Sequence, residues 1–208
     1  FLYEDINLII YFIIVLIIFF LFFSFNQNFL NYFLSISSSM SNIGFTLDNS
    51  NTNLTFIYLI LVIIGGSFFS TSSGLRFMKI YSLFIYSVNQ ILSFSRPKNI
   101  YKNKLFFSEA NFDFDEISKY FLSVLIFILS LFILTTLLTI NEFSFENSFK
   151  LSILTLMNTV NSSLHGLENL NFAEFSISLK YILIVFMIIG RIEFISILIL
   201  IKKFVFKN

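Results

Sequence analysis

Two five-residue stretches of this chain, Ser41-Asn42-Ile43-Gly44-Phe45 and Asn158-Thr159-Val160-Asn161-Ser162, carry residue types suited to holding a cation with main-chain oxygens. Each follows a semi-apolar segment that is too short to cross a bilayer. A short helix that turns back and ends in a few extended residues presents backbone carbonyls that replace an ion's hydration shell. The helix also aims its C-terminal dipole end, about half a negative charge, at the cation. Carbonyls on one strand all point inward only when some residues take unusual φ and ψ values, so glycine is the natural choice. Gly44 meets that need. Asn161 is the next-best residue, because Asn visits left-handed backbone more readily than other non-glycine residues; the alternative for it is a plain polar turn. The candidate ion-coordinating residues are Asn42, Ile43, Gly44 and Phe45 in one stretch, and Thr159, Val160, Asn161 and Ser162 in the other.

Other chemistries find little footing. With no cysteine, disulfides, thiolate metal sites and thiol nucleophiles are excluded. The single histidine, His165, lies in a polar loop with no second His to complete a metal geometry, and reads as a surface residue. No glycine-rich phosphate loop follows a strand and no nucleophile–base pair stands out, so the chain is not expected to be an enzyme or to bind an organic cofactor.

The elements that must position the two stretches are apolar helices. The chain has 208 residues, is 57% hydrophobic and only 12% charged, about half the charged share of a soluble domain. A spanning helix needs about 20 apolar residues, and residues 6–25, 120–140 and 177–205 meet this. The last is broken by Lys180 and by Gly190-Arg191-Ile192-Glu193. A fourth region is interrupted: 54–64 is apolar, residues 65–74 hold three of the six glycines, and an amphipathic stretch follows over 75–94. Non-helical backbone at membrane depth is tolerated only where protein or a water-filled cavity covers it, and broken helices are a transport signature; a simple loop between two short helices is the alternative. The first apolar run is too long and too poor in flanking basic residues for a signal peptide. The chain starts at Phe1, and an N-terminally incomplete sequence is expected.

Charge supplies the orientation. Arg76, Lys79, Arg96, Lys98, Lys102 and Lys104 are unopposed by any acidic residue between them, as are Lys202, Lys203 and Lys207. Both segments are expected to be cytoplasmic by the positive-inside rule. The loops at 26–53 and 141–176 carry Asp48, Glu142, Glu146, Glu168 and Glu174 against Lys150 and belong outside.

An internal repeat ties these features together. Without gaps, residues 34–45 lie over 151–162 so that Leu34, Ser35, Ile36 and Met40 meet Leu151, Ser152, Ile153 and Met157. Ile43 then faces Val160, and Gly44 faces Asn161. The flanks repeat too: long helix, short re-entrant segment, second helix. The expected fold is an all-α integral membrane protein with two helix–pore-loop–helix units, at 1–94 and 118–208, joined by a cytoplasmic linker at 95–117. Charges inside the membrane cost about 2.5–3.5 kcal/mol, so Arg191 and Glu193 should face protein or water. Two apart on a helix, they do not share a face. Lys180, near an outer helix end, is expected to snorkel, and Arg76 and Lys79 to anchor their helix at the cytoplasmic face.

The order Ser-Asn-Ile-Gly-Phe, then Gly65-Gly66-x-x-x-Ser70-Thr71-x-x-Gly74-x-Arg76-x-x-Lys79, then Met187-Ile188-Ile189-Gly190-Arg191-Ile192-Glu193 resembles the Trk/Ktr/HKT superfamily of potassium transporters, closest to the TrkH-type translocating subunit. The resemblance implies four pseudo-symmetric repeats around one pore, of which this chain would supply the third and fourth. It implies K⁺ as the transported ion, with Na⁺ passage left open, and a gating loop containing Gly65, Gly66, Ser70, Thr71 and Gly74. It implies a pore-facing role for Arg191, a homodimer in the inner membrane, and a cytosolic nucleotide-binding regulatory subunit of the TrkA/KtrA type. The chain departs from the family pattern at Asn161, Ser162 and Ser163 in the fourth filter, and at Phe69, Ser72 and Ser73 in the loop. The competing expectation is a divergent Na⁺/K⁺-permeable or non-conducting regulatory or assembly subunit.

Overall fold

Nothing in the first 23 residues interrupts helical hydrogen bonding, since neither Gly nor Pro occurs there. In the computed structural model this stretch forms α1 (Leu2–Phe23). It is followed by α2 (Phe29–Met40), α3 (Thr55–Ile64), α4 (Phe77–Ser95), α5 (Phe114–Ile140), α6 (Phe145–Met157) and α7 (Ile177–Arg191). Short 3₁₀ turns occupy Ser163–His165 and Phe172–Glu174. The structure describes residues 2–23, 29–45, 54–64, 75, 77–95, 114–159, 163–167 and 170–191, and no strand occurs among them.

α5 runs for 27 residues, about 40 Å at 1.5 Å per residue, against a hydrocarbon core of about 30 Å. Its segment Asp115–Ile140 is the one helix among the described residues that is long and apolar enough to cross a membrane. The apolar stretch of α1, Ile6–Leu21, is shorter. α5 begins at Phe114, inside the stretch expected to be linker, because Asp115 and Glu116 can occupy its first turn and meet the positive end of the helix dipole.

On α5, Leu125, Ile128, Leu129, Phe132 and Ile133 are exposed along one face, while the other face buries Phe127, Leu131, Leu134 and Leu138 together with Ser123, Ser130 and Thr135. The buried hydroxyls are satisfied within the protein: Ser130 Oγ donates to Phe127 O at 2.8 Å and Thr135 Oγ1 to Leu131 O at 2.8 Å. α1 and α7 show the same outward apolar rows, with Ile10, Ile13, Ile14, Ile17 and Ile18 on one and Tyr181, Ile184, Val185 and Ile188 on the other.

α6 is the opposite case. All seven residues from Leu151 to Met157 are buried, so this helix is enclosed on every side. At 13 residues it reaches only about 20 Å. It begins where Ser144, in extended backbone, accepts a hydrogen bond from Asn147 N, the usual N-cap device. Glu146 in the first turn pairs with Lys150 one turn on. A four-residue turn, 141–144, sends α6 back beside α5, and Thr135 Oγ1 and Ser152 Oγ lie 3.1 Å apart across the pair.

α1 and α2 form the matching hairpin. Ring contacts run antiparallel between them, Phe12 with Phe33 at 5.8 Å and Phe20 with Phe29 at 5.9 Å. α2 then packs on α3 as α6 packs on α7. The order of helices and their packing thus repeats, α1-α2-α3 and α5-α6-α7, with α4 between the units and against α5. One core cluster joins Phe19, Tyr32, Ile36, Met40 and Tyr58 of the first unit. The larger cluster surrounds α6 and draws in Leu59, Val62 and Leu75 from the first unit.

Candidate functional site

Both short helices unwind by the same mechanism. In α2, Asn42 N donates to Ser39 O (3.3 Å) and Ile43 N to Ser38 O (3.1 Å). In α6, Asn158 N donates to Thr155 O (3.2 Å) and Thr159 N to Leu154 O (3.0 Å). This pair of backward bonds is the Schellman motif, which requires a left-handed residue just past the helix. Asn fills that position each time, with φ of 59° at Asn42 and 53° at Asn158. Gly44, two residues beyond Asn42, also takes the left-handed region at φ 78°, where a glycine meets no steric cost.

The helix ends pair Asn42 with Asn158, one residue away from the gapless sequence alignment. The hydroxyls agree with this register: Ser39 Oγ donates to Ser35 O at 2.8 Å and Thr155 Oγ1 to Leu151 O at 2.7 Å. Counted from the paired asparagines, Gly44 corresponds to Val160, and Asn161 to Phe45. The helix ends thus give a register one residue away from the expected pairing of Gly44 with Asn161, because the first residue that tolerates positive φ sets where each helix ends. Val160, Asn161 and Ser162 lie outside the described residues, as do Gly65, Gly66, Ser70, Thr71 and Gly74 of the expected gating loop, Arg76 and Glu193.

Around the first stretch, Gly44 and Asn42 are buried while the side chains of Ile43 and Phe45 are exposed. α2 tolerates its run of serines because their hydroxyls bond back one turn. Ser37 Oγ reaches Phe33 O and Ser41 Oγ reaches Ser37 O, both at 2.7 Å. Thr159 is buried, and its Oγ1, like Ser38 Oγ, has no hydrogen-bond partner among the described residues. Neither stretch presents a carboxylate, and no group of three or more His, Asp or Glu that could hold a metal occurs among the described residues. The coordinating atoms available there are main-chain carbonyls and hydroxyls.

Each left-handed asparagine also reaches the third helix of its own unit. The Asn158 side-chain amide donates to Met187 O on α7 at 2.9 Å. The Asn42 amide, oriented so that its nitrogen meets acceptors, donates to Val62 O on α3 at 3.2 Å and to Ser39 O at 3.0 Å. Val62 and Met187 were not among the expected residues. The signal was present in the echo of Val62-Ile63-Ile64-Gly65 by Met187-Ile188-Ile189-Gly190, three positions ahead of a glycine each time. Gly190 is buried where a Cβ would meet Leu156 O of α6 at 2.1 Å. Small residues of this kind let membrane helices approach backbone to backbone.

The remaining expected charges divide. Arg191 is exposed at the end of α7. Lys180 Nζ donates to Ala173 O at 3.0 Å, bracing the outer turn. Lys79 is not at a surface: it is 5% exposed, with its Nζ 3.5 Å from Ser123 Oγ on α5, because α4 turns this face onto α5. His165 is likewise corrected from a surface residue to one with no exposed area. The turn that carries it packs against α3, with Leu164 in the core beside Tyr58 and Leu61, and burial pushes the imidazole down to about 4. Comparison with protein-family models and with curated proteins finds no match for the chain.

Proposed function

We propose that the chain contributes two of the four repeats of a potassium-translocating pore in the cytoplasmic membrane, with the main chain at 42–45 and 159–162 as filter walls. The observation that carries this reading is the pair of short helices, α6 buried over Leu151–Met157 and α2 buried along one face, that end in the same left-handed Asn turn. Each delivers its C-terminal end, with its partial negative charge, to a point inside the protein. The outward apolar rows of α1, α5 and α7 suit lipid, and the buried hydroxyls lie among apolar core side chains. In this reading residues 65–74 gate the pore below the filter, Arg191 faces it, and a homodimer binds a cytosolic nucleotide-binding ring.

The test is rescue of a potassium-uptake-deficient host by a protein in which this chain is joined to two further repeats. Restored growth on limiting K⁺ is expected. A correctly inserted protein that restores nothing refutes the proposal.

A specific observation favours a second reading, a divergent Na⁺/K⁺-permeable or non-conducting subunit. In sequence, Val160 follows Asn158 by two positions as Gly44 follows Asn42, and a β-branched residue resists positive φ. Val160→Gly and Asn161→Gly separate the two readings: if neither variant nor the parent passes an alkali cation, the non-conducting subunit is the better account.

A further inference from the structure

The two asparagine side chains do something that a helix terminator does not require. Positive φ at a helix end is satisfied by the backbone alone, and glycine serves it best. In both units the residue is instead Asn, and in both its amide crosses to a main-chain carbonyl of the third helix, Val62 O at 3.2 Å and Met187 O at 2.9 Å. The acceptors occupy matching places, three residues before Gly65 and Gly190. On the second unit that glycine is where α7 meets the backbone of α6. On the first, it opens the stretch 65–74.

We infer that Asn42 and Asn158 are positioning residues that tether the start of each ion-coordinating stretch to the third helix of its unit. The tether resists rotation of the peptide planes immediately after each short helix. It also makes the first coordinating carbonyls answer to any shift at the ends of α3 and α7. The same type of connection recurs in both units, and its repetition across units of different sequence argues against coincidence. The consequence for ion preference rests on the pore reading; the tether itself does not.

The test uses the natural full-length protein in lipid nanodiscs, with Asn42→Gly and Asn158→Gly. Glycine keeps the left-handed backbone and deletes the amide. Hydrogen exchange is expected to quicken at least three-fold in the peptide groups of the substituted turn and of its partner helix, α3 for Asn42→Gly and α7 for Asn158→Gly, while the other unit is unchanged. In liposomes the same variants should lose about three-fold of the K⁺ over Na⁺ preference with the amount of folded protein unchanged, an effect of the size expected for one interhelical hydrogen bond. Asn42→Asp and Asn158→Asp keep the turn preference and cannot donate, so they should behave like the glycine variants. Should substituted proteins fail to fold, the wild type still decides, because its Asn42 and Asn158 side-chain amide protons must exchange far more slowly than those of an exposed Asn. Exchange at the free rate, or variants whose partner helices exchange as in the wild type, overturns the tether. A wild type that carries no cation while its amides are protected overturns the pore reading alone.

Discussion

Replacing Gly190 by alanine isolates the close contact between α7 and α6. The added Cβ would lie 2.1 Å from Leu156 O, 2.9 Å from its carbonyl carbon and 3.1 Å from its Cα. Every one of these atoms is backbone of α6, itself buried over Leu151–Met157, so none can swing aside as a side-chain tip would. Ordinary contact requires the helices to part by about 1 Å, which forfeits dispersion along the α6–α7 seam. Overpacking of this kind costs about 1–3 kcal/mol, and a rigid backbone neighbour puts it at the upper end. Alanine's better helix propensity returns about 1 kcal/mol. The net expectation is a loss of about 2 kcal/mol, or about 4–8 °C in the apparent melting midpoint for a chain of this size. Thermal unfolding of wild type and Gly190→Ala in the same detergent, followed by tryptophan-free tyrosine fluorescence or light scattering, measures it. A variant that melts at or above the wild type would mean that α7 does not approach α6 as described, because a glycine in an open helix gains stability from this change.

Two further outcomes follow from burial. His165 carries a folded pKa of about 4 against 6.5, so between those values the unfolded chain binds a proton that the folded chain refuses. Stability should be complete above pH 6.5 and fall by about 3 kcal/mol as the pH drops to 4; His165→Leu should flatten that part of the profile, and parallel slopes for the two proteins would remove the imidazole from the account. Leu129 is 53% exposed midway along α5, so Leu129→Arg should cost about 2.5–3.5 kcal/mol of insertion and lower the membrane-integrated fraction severalfold in a glycosylation-mapping assay, whereas unchanged integration would place that face away from lipid.

The helices and their order were legible because apolar runs without Gly or Pro leave few options. α6 was legible as a short helix because its semi-apolar segment is too short to be a long one, and the structure brackets it with Ser144 and Asn158. The register between the two units was not, because side-chain identities and helix stops gave different answers. Met40 and Met157 align by identity, but α2 continues past Met40 through Ser41 to reach a residue that tolerates positive φ, and α6 meets one immediately at Asn158. The environments of His165 and Lys79 escaped sequence reasoning for a related reason. His165 lies in a polar loop and Lys79 on an amphipathic stretch, and only the packing of the 163–165 turn on α3, and of α4 on α5, turns each inward. Nothing local to either residue encodes its distant neighbour.

The contact of α3 with α6 makes α3 a shared wall. Leu59 and Val62 sit in the same cluster as Leu151, Leu154 and Leu156, so the last helix of the first unit is also part of the wall around the innermost helix of the second. A change on α3 is therefore felt by two short helices at once, α2 through the Asn42 amide and α6 through apolar packing. A bulky substitution at Val62 should disturb both, so the two halves of the described fold are mechanically coupled rather than independent.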